Sequence, residues 1–245
     1  MRINNFVAID SIYGKFIVNR HCSHQAEALI KTGLTHIESE LSNISKIINV
    51  LPEGAVAIDA GANIGFVCIP ISNWLRSKGG VVHAFEVQRM IYYALCGSAA
   101  LNDSNNLFIH NSGLGETKKI LKVPMQNYNE PKDFGMVSLK DQNIINIYEN
   151  VEIITIDSLN LVRLDFLKID VEGMEIEVLV GGRETIRKNR PWCWIEYWMV
   201  DKELLKKEFD GLNYAIYIMD QLNVLCAPIE KLSASGIKPI NCAEF

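Results

Sequence analysis

The chain has 245 residues, with 24 Lys and Arg against 29 Asp and Glu, and a formal net charge of −5. This length suits one sizeable α/β domain, and a hydrophobic fraction of 49% excludes an intrinsically disordered chain. The negative charge argues against a broad nucleic-acid-binding face. The six cysteines form no C-x-x-C pair, so neither a zinc site nor a disulfide scaffold is predicted. No apolar run reaches membrane-spanning length and no signal-peptide core is recognisable, so we expect a cytoplasmic protein without membrane contact.

The first 50 residues are predicted to form a small cap. A turn signal at Tyr13-Gly14 within residues 3–19 predicts a β-hairpin, and two amphipathic helices follow. We interpret residues 1–50 as an N-terminal hairpin and helical cap, and residues 51–245 as the main domain.

From residue 51 onward, apolar runs of strand length alternate with amphipathic helical stretches. Such alternation predicts an α/β fold in which a mostly parallel sheet carries helices on both faces. The predicted core strands are 55–59, 81–85, 107–110, 166–170 and 192–196, and the predicted helices are 64–77, 88–101, 174–188 and 202–209. Further strands are predicted at 119–123 and 151–156, a closing antiparallel pair at 214–219 and 224–227, and an irregular tail at 228–245.

The most informative stretch is the turn that follows the first core strand. Asp59 ends an apolar strand, Gly61 permits a tight turn, and Asn63 is a good N-cap for an amphipathic helix. The free amides of a helix start attract an anion, whereas a carboxylate at Asp59 would repel a pyrophosphate. S-adenosylmethionine suits both features, because it has a sulfonium and an ammonium for Asp59 and a carboxylate for the helix start. The alternative for Asp59 is to cap the amides of the turn.

Spacing disfavours two other phosphate-binding loops. A G-x-G-x-x-G fingerprint counted from Gly61 requires glycines where Asn63 and Phe66 stand, and a P-loop requires a Gly-Lys-Ser/Thr run that this turn lacks. An NAD-dependent oxidoreductase is therefore disfavoured, and nicotinamide binding is its test.

Glu86 ends the second predicted strand. A carboxylate there accepts two hydrogen bonds and suits the vicinal hydroxyls of a ribose. The alternative is a solvated capping carboxylate. We favour the ribose contact, because the sequence that leads to Glu86 otherwise has the pattern of a buried core strand.

The end of the fourth strand carries a second cluster of charged residues. Lys168 and Asp170 are two residues apart and so share one face of the strand, and Glu172 follows at the start of the next helix. Buried charge near a strand end requires a reason, so we expect Asp170 and Glu172 to belong to a site.

Together these motifs resemble a known family. Asp59-x-Gly61-x-Asn63-x-Gly65 is similar to motif I of class I methyltransferases, and the run from Lys168 to Glu175 is similar to FkbM-type methyltransferases in particular. The resemblance covers residues 36–198 and implies a Rossmann-like sheet of seven mostly parallel strands. It implies S-adenosylmethionine as cofactor, and methyl transfer to a hydroxyl of a sugar or natural-product intermediate. The residues expected at the cofactor are Asp59, Gly61, Asn63, Gly65 and Glu86.

The loop after the third strand occupies the place where the family's loop reaches the adenine. Asn111 and Ser112 are the polar side chains of this loop, and they are expected to contact the cofactor. A tight turn explains the same residues equally well.

Methyl transfer to a hydroxyl requires an oriented acceptor and a base for its proton. Asp170 is the expected base, with Glu172 orienting the acceptor and Lys168 tuning both carboxylates. Glu196 ends the fifth strand and His110 the third, so both are expected at the acceptor, with His110 as the fallback base. Asp170 and Glu172 together also suit Mg²⁺, although we predict no metal.

Two other functions stay open. One is N-methylation of a small metabolite, and the other is a nucleoside-binding module that scaffolds a biosynthetic complex without catalysis. An Asp170→Ala or Glu172→Ala variant that binds cofactor but loses turnover would support the enzyme. Residues 126–150 are polar with isolated aromatics and form either a surface loop or a substrate lid. A homodimer through the exposed sheet edge or the cap is compatible with the sequence.

Overall fold

The computed structural model describes residues 4–135 and 147–235 of the chain. Its strands are β1 (Phe6–Ser11), β2 (Gly14–Asn19), β3 (Val56–Ala60), β4 (Val81–Phe85), β5 (Leu107–His110), β6 (Gly113–Leu114), β7 (Lys119–Pro124), β8 (Tyr148–Ile154), β9 (Phe166–Ile169), β10 (Trp192–Glu196), β11 (Tyr214–Ile218) and β12 (Asn223–Pro228). Its helices are α1 (Ser23–Thr32), α2 (Glu38–Val50), α3 (Cys68–Arg76), α4 (Arg89–Leu101), α5 (Glu175–Val180), α6 (Arg183–Asn189), α7 (Lys202–Phe209) and α8 (Ile229–Ser235), with a 3₁₀ turn at Asp157–Leu159.

The main sheet has seven strands in the order β11-β12-β10-β9-β3-β4-β5. The five strands β3, β4, β5, β9 and β10 run parallel, and β12 is antiparallel to both β10 and β11. The predicted Rossmann-like, mostly parallel sheet is therefore confirmed, together with its closing antiparallel pair. Because the strand order changes direction at β3, the carboxyl ends of β3, β4 and β9 border one crevice, where ligands of such sheets bind.

Helices cover both faces of this sheet, as predicted. One core contains the buried residues of α2, α3 and α4, and the other contains those of α5, α6 and α7. No helix in the two described ranges combines the length and the apolarity that crossing a bilayer requires.

The N-terminal hairpin and two helices also form as predicted. β1 pairs with β2, and the α2 residues Leu41, Ile44 and Ile48 are fully buried. These side chains belong to the same core as β3 and α3. The α2 side chains of residues 1–50 therefore pack in the core of the main sheet, and the division of the chain into a cap at 1–50 and a domain at 51–245 stays a prediction.

A second sheet of three strands was not predicted as such. β7 and β8 pair antiparallel, and the two-residue strand β6 joins β8 in the order β6-β8-β7. The predicted strand 119–123 thus lies outside the main sheet instead of at its edge. Within the segment 126–150, residues 136–146 lie outside the described residues, so the choice between surface loop and lid is not tested.

Three predicted element boundaries are wrong. The helix expected at 64–77 begins at Cys68, and the one expected at 174–188 is divided into α5 and α6 by a pair of glycines. A Cβ on Gly181 would lie 2.0 Å from the carbonyl oxygen of Gly115, so close backbone packing explains a glycine at this break. The tail contains α8 instead of being irregular from residue 228.

Candidate functional site

A cavity of about 750 Å³ opens at the carboxyl edge of the main sheet. Its wall includes Gly61 after β3, Glu86 after β4, Asp170 after β9 and Glu196 at the end of β10. The sequence-predicted residues of four strands therefore meet at one cavity, whose size is typical of a cofactor or small-molecule site.

The turn after β3 is held by the end of β4. The amides of Gly61 and Ala62 donate to the carbonyl of Phe85, and the amide of Asn63 donates to Oε2 of Glu86 at 2.9 Å. These three amides are therefore not free for an anion. The helix start that was expected to offer free amides after Asn63 is also absent there, because α3 begins at Cys68. Gly61 has a φ of +82°, and a Cβ there would lie 1.7 Å from the carbonyl oxygen of Asp170, so only glycine fits between the two strands.

Asn63 does not cap a helix as predicted. Its φ is +49°, and the residue that precedes α3 is Val67. Asn63 lies on the cavity wall instead, where its Oδ1 is buried and has no hydrogen-bond partner among the described residues. A buried amide oxygen without a partner is costly, so this atom is suited to accept a hydrogen bond from a ligand. Gly65, with a φ of +99°, packs under this turn against Leu95 and does not reach the cavity.

Glu86 combines both roles considered from the sequence. Its two oxygens accept from the amides of Asn63 and Gln88, at 2.9 and 2.7 Å, so it caps the turn. It also lines the cavity, and each carboxylate oxygen keeps a further lone pair for a ligand hydroxyl. Burial raises the pKa of Glu86 to about 7.

Lys168 is a buried ammonium between two carboxylates. Its Nζ lies 3.0 Å from Oδ2 of Asp170 and 3.5 Å from Oδ1 of Asp59. Burial lowers the pKa of Lys168, but the charges of Asp170 and Asp59 outweigh burial and hold that pKa well above its usual value. The predicted neighbour relation of Lys168 and Asp170 is confirmed.

Asp59 lies beneath the cavity and is not among its lining residues. Its side chain is fully buried, and β3 and β9 are in a register that places it opposite Lys168. Burial raises the pKa of Asp59, and the charge of Lys168 opposes this shift. The structure thus shows Asp59 as the partner of Lys168, and its contact with a cofactor stays a prediction.

Three carboxylates converge at the β9 and β10 end of the cavity. Ligand oxygens of Asp170, Glu172 and Glu196 lie within 4.8 Å of one another. Burial, with the charge of Asp170 next, raises the pKa of Glu172 to about 7, and burial with the charges of Asp170 and Glu172 raises that of Glu196 to about 9. Glu196 also shares a hydrogen bond with Asp170, which raises the pKa of Glu196 further.

The loop that carries Glu172 is fixed from behind. Glu172 has a φ of +55°, a left-handed conformation that costs about 1–3 kcal/mol for a residue other than glycine. Oε1 of Glu175 accepts from the amides of Val171 and Gly173, at 3.1 and 3.0 Å, on either side of Glu172. Glu175 thus stabilises the strained backbone that directs Glu172 toward the cavity.

The lining residues that were missed in the sequence include two polar residues of the N-terminal segment. His36 and Glu40 come from the N-terminal segment and line the cavity opposite the strand ends. Oε1 of Glu40 is buried without a hydrogen-bond partner, and burial raises its pKa to about 7 despite the nearby charge of Lys168. No local signal marks Glu40, since it reads as one polar position on an amphipathic helix.

The other predicted residues lie away from the cavity wall. Nδ2 of Asn111 donates to the carbonyl of Glu86 at 2.8 Å, and neither Asn111 nor Ser112 is among the lining residues. His110 stacks on Phe85 and its Nε2 lies 3.3 Å from Nδ1 of His83. These positions support the turn interpretation of Asn111 and Ser112, while the cofactor and acceptor roles stay predictions.

The two ends of the cavity differ in chemistry. The end next to β4 and the small sheet is apolar, with Val87, Leu114, Ile153 and Met174 on its wall. The other end is acidic, and the described part of the lining contains no Lys or Arg. The carboxylates on the wall are Glu40, Glu86, Asp133, Asp170, Glu172, Glu196 and Asp220.

This sheet of seven mostly parallel strands, closed by an antiparallel pair, is Rossmann-like. The sequence profile of the methyltransferase FkbM domain matches residues 59–217, which is more than half of the chain. The chain therefore belongs to the FkbM methyltransferase family. A comparison with curated proteins finds no match.

The fold is also similar to that of a solved methyltransferase. Methyltransferase FkbM from Methylobacillus flagellatus KT is 17% identical with a TM-score of 0.52, over 85% of this chain and 55% of that one. The present chain thus spans about half the length of that relative. TYW2 from M. jannaschii, solved in complex with AdoMet, is 15% identical with a TM-score of 0.47, over 92% of this chain and 86% of that one.

We predict that Lys168→Met destabilises the protein by about 3 kcal/mol at pH 8, because removing one partner leaves buried carboxylate charge without compensation. The double variant Asp59→Asn/Lys168→Met should recover about 1 kcal/mol or more of that loss. Urea denaturation measures both effects. Lys118→Met is the matched control, since its ion pair with Glu152 is exposed and should change stability by less than about 0.5 kcal/mol. If Lys168→Met and Lys118→Met lower the free energy of unfolding equally, Lys168 does not compensate buried carboxylate charge.

Proposed function

We propose that the protein transfers a methyl group from S-adenosylmethionine to a hydroxyl of a small-molecule acceptor, a sugar or another natural-product intermediate. The observation that carries the proposal is the two-ended cavity at the carboxyl edge of a methyltransferase sheet. An apolar end next to Glu86 suits a nucleoside, and the carboxylate cluster at the far end suits a reaction that must remove a proton.

The residues of the cavity fit this cofactor. Glu86 is placed to accept hydrogen bonds from ribose hydroxyls, and Val87 and Ile153 offer apolar surface to a purine. The unpartnered Oδ1 of Asn63 is suited to accept from an ammonium. When bound, S-adenosylmethionine supplies a methyl group activated by its sulfonium.

Glu172 is the residue that we now favour as the base, in place of Asp170. One oxygen of Asp170 is bound by Lys168, and its carboxylate also shares a hydrogen bond with Glu196. Glu172 lines the cavity, and its pKa of about 7 lies near the value at which a base works best in neutral solution. Asp170 and Lys168 then act as positioning residues, which keep the charge of the cluster fixed.

The acidity of the cavity supports a small-molecule acceptor over a nucleic acid. The described lining offers no Lys or Arg to a phosphate backbone, whose binding depends on cationic side chains, and its carboxyl groups add no favourable charge. Membership in the FkbM family supports the proposed acceptor class of sugars and natural products.

We predict that the purified protein binds S-adenosylhomocysteine and that Glu86→Gln weakens binding at least about tenfold, because charged acceptors of the ribose hydroxyls are lost. Isothermal titration calorimetry measures both affinities. Glu53→Gln is the matched control, since it removes one charge from an exposed position ahead of β3 and should bind like the wild type. Absence of binding by folded wild-type protein would contradict the proposed donor. If the protein binds S-adenosylhomocysteine, transfer of a labelled methyl group to a panel of sugars tests the acceptor.

We predict that kcat rises with pH through about 7 and levels off above it, because Glu172 accepts a proton only when it is ionised. Glu172→Gln should lower kcat by about 10²–10⁴-fold and remove this inflection. Steady-state rates at saturating S-adenosylmethionine measure kcat. Under this condition, titration of Glu86 changes the affinity for the cofactor but does not change kcat. Glu53→Gln again serves as control. If the Glu172→Gln variant keeps the inflection, Glu172 is not the base, and Asp170 or Glu196 has that role instead.

A further inference from the structure

The cavity has more carboxyl groups than the proposed reaction requires. One carboxylate suffices as base, and Glu86 lies with the nucleoside-binding residues. Asp133 and Asp220 are bound by backbone amides of their own turns, Gly135 for the first and Leu222 with Asn223 for the second. Glu40 has no such assignment.

Glu40 is the unexplained group of this cavity. No described side chain or amide donates to its Oε1, which is buried in the wall contributed by α2. Lys168 is the cation whose charge lowers the pKa of Glu40, and it is already paired with Asp59 and Asp170. A buried carboxylate without a donor costs free energy of folding, so its presence in a binding cavity indicates a ligand group that donates to it.

We propose that the acceptor carries a protonated amine and that Glu40 binds this ammonium, beside the hydroxyl that is methylated. This inference rests on the proposed function and names its substrate class: a hydroxylated amine, such as an amino sugar. An ammonium has three donors and a full positive charge, which matches an unpartnered carboxylate better than a neutral hydroxyl or amide does.

The same charges favour methylation of the hydroxyl over the amine. Carboxylates around a bound amine stabilise its protonated form, which has no lone pair for attack. The amine therefore serves as an anchor, and the neighbouring hydroxyl remains the nucleophile. N-methylation, the alternative considered from the sequence, is disfavoured by this electrostatic environment.

A divalent cation is the competing occupant of the acidic end. Asp170, Glu172 and Glu196 bring three carboxylate oxygens within 4.8 Å, which a hard cation could bridge. A metal at these three residues would leave Glu40 unexplained, because Glu40 is not part of that group. The position of Glu40 therefore favours the amine, and metal binding becomes an outcome of the test.

The test compares matched ligands that differ in one charge. Methyl glycosides of glucosamine, galactosamine and mannosamine, each as free amine and as N-acetyl amide, are titrated into the protein saturated with S-adenosylhomocysteine at pH 7. We expect the amine of at least one pair to bind about tenfold more tightly than its amide, which is the effect of one charge-assisted hydrogen bond. Glu40→Gln should reduce this preference to about twofold or less, and Glu53→Gln should keep it.

Each other outcome overturns the proposal. Equal binding of amine and amide in every pair, including no binding of either, contradicts it, and so does a preference that survives Glu40→Gln. Titration with Mn²⁺ alone covers the competing occupant: absence of an amine preference, together with Mn²⁺ binding that Glu196→Gln abolishes, assigns the acidic end to a metal. S-adenosylhomocysteine affinity is measured on the same samples. If the wild type does not bind S-adenosylhomocysteine, the proposed function is overturned. If Glu40→Gln binds S-adenosylhomocysteine as the wild type does, the variant is folded.

Discussion

The structure depends on one buried cation, Lys168, at the centre of a group of carboxylates. The parallel register of β3 and β9 places Lys168 opposite Asp59, and the alternation of the strand places Asp170 on the same face. Each of these ions would be costly to bury alone, and together they offset one another. The pairing also fixes Asp170, around which Glu172 and Glu196 gather. The positive charge of Lys168 also lowers the pKa values of Glu40, Glu172 and Glu196 and so opposes the effect of their burial.

The remaining carboxylates of the cavity are unfavourable to ionise. The pKa values of Glu40, Glu86 and Glu172 are raised to about 7, mainly by burial, so each is harder to ionise than a carboxylate in water. Because these pKa values are raised from 4.5, stability falls as the pH rises from about 4.5 to about 7 and stays at the lower level above it, a cost that is commonly found at functional sites. Positive charge on the donor and on the proposed acceptor would relieve that cost, which links binding energy to the charges of both substrates.

The sheet could be predicted from the sequence because its signals are local. Short apolar runs such as Val81–Phe85 and Trp192–Glu196 match the observed strands, and period-two alternation placed Lys168 beside Asp170. Predictions that depended on long-range packing were less successful. Asn63 is a residue type favoured at N-caps, but it adopts a φ of +49° in a turn whose amide is bound by Glu86, a residue 23 positions away.

The acceptor side of the site could not be predicted, since its residues come from distant parts of the chain. Glu40 reaches the cavity only because α2 packs in the same core as α3, and nothing near it in sequence distinguishes it from a solvent-exposed glutamate. His110 shows the converse. Its place at the end of β5 suggested a site residue, whereas its ring packs on Phe85 and His83. The end of a strand fixes where a residue lies, and side-chain packing decides which way it faces.

The most direct test of this account is a crystal structure of the protein with S-adenosylhomocysteine. The account predicts that the adenine lies against Val87 and Ile153, that the ribose hydroxyls bind Glu86, and that the sulfur faces Asp170 and Glu172. A ligand bound outside this cavity, or one whose sulfur faces the apolar end, would leave the carboxylate cluster without a reacting atom and would contradict the central claim.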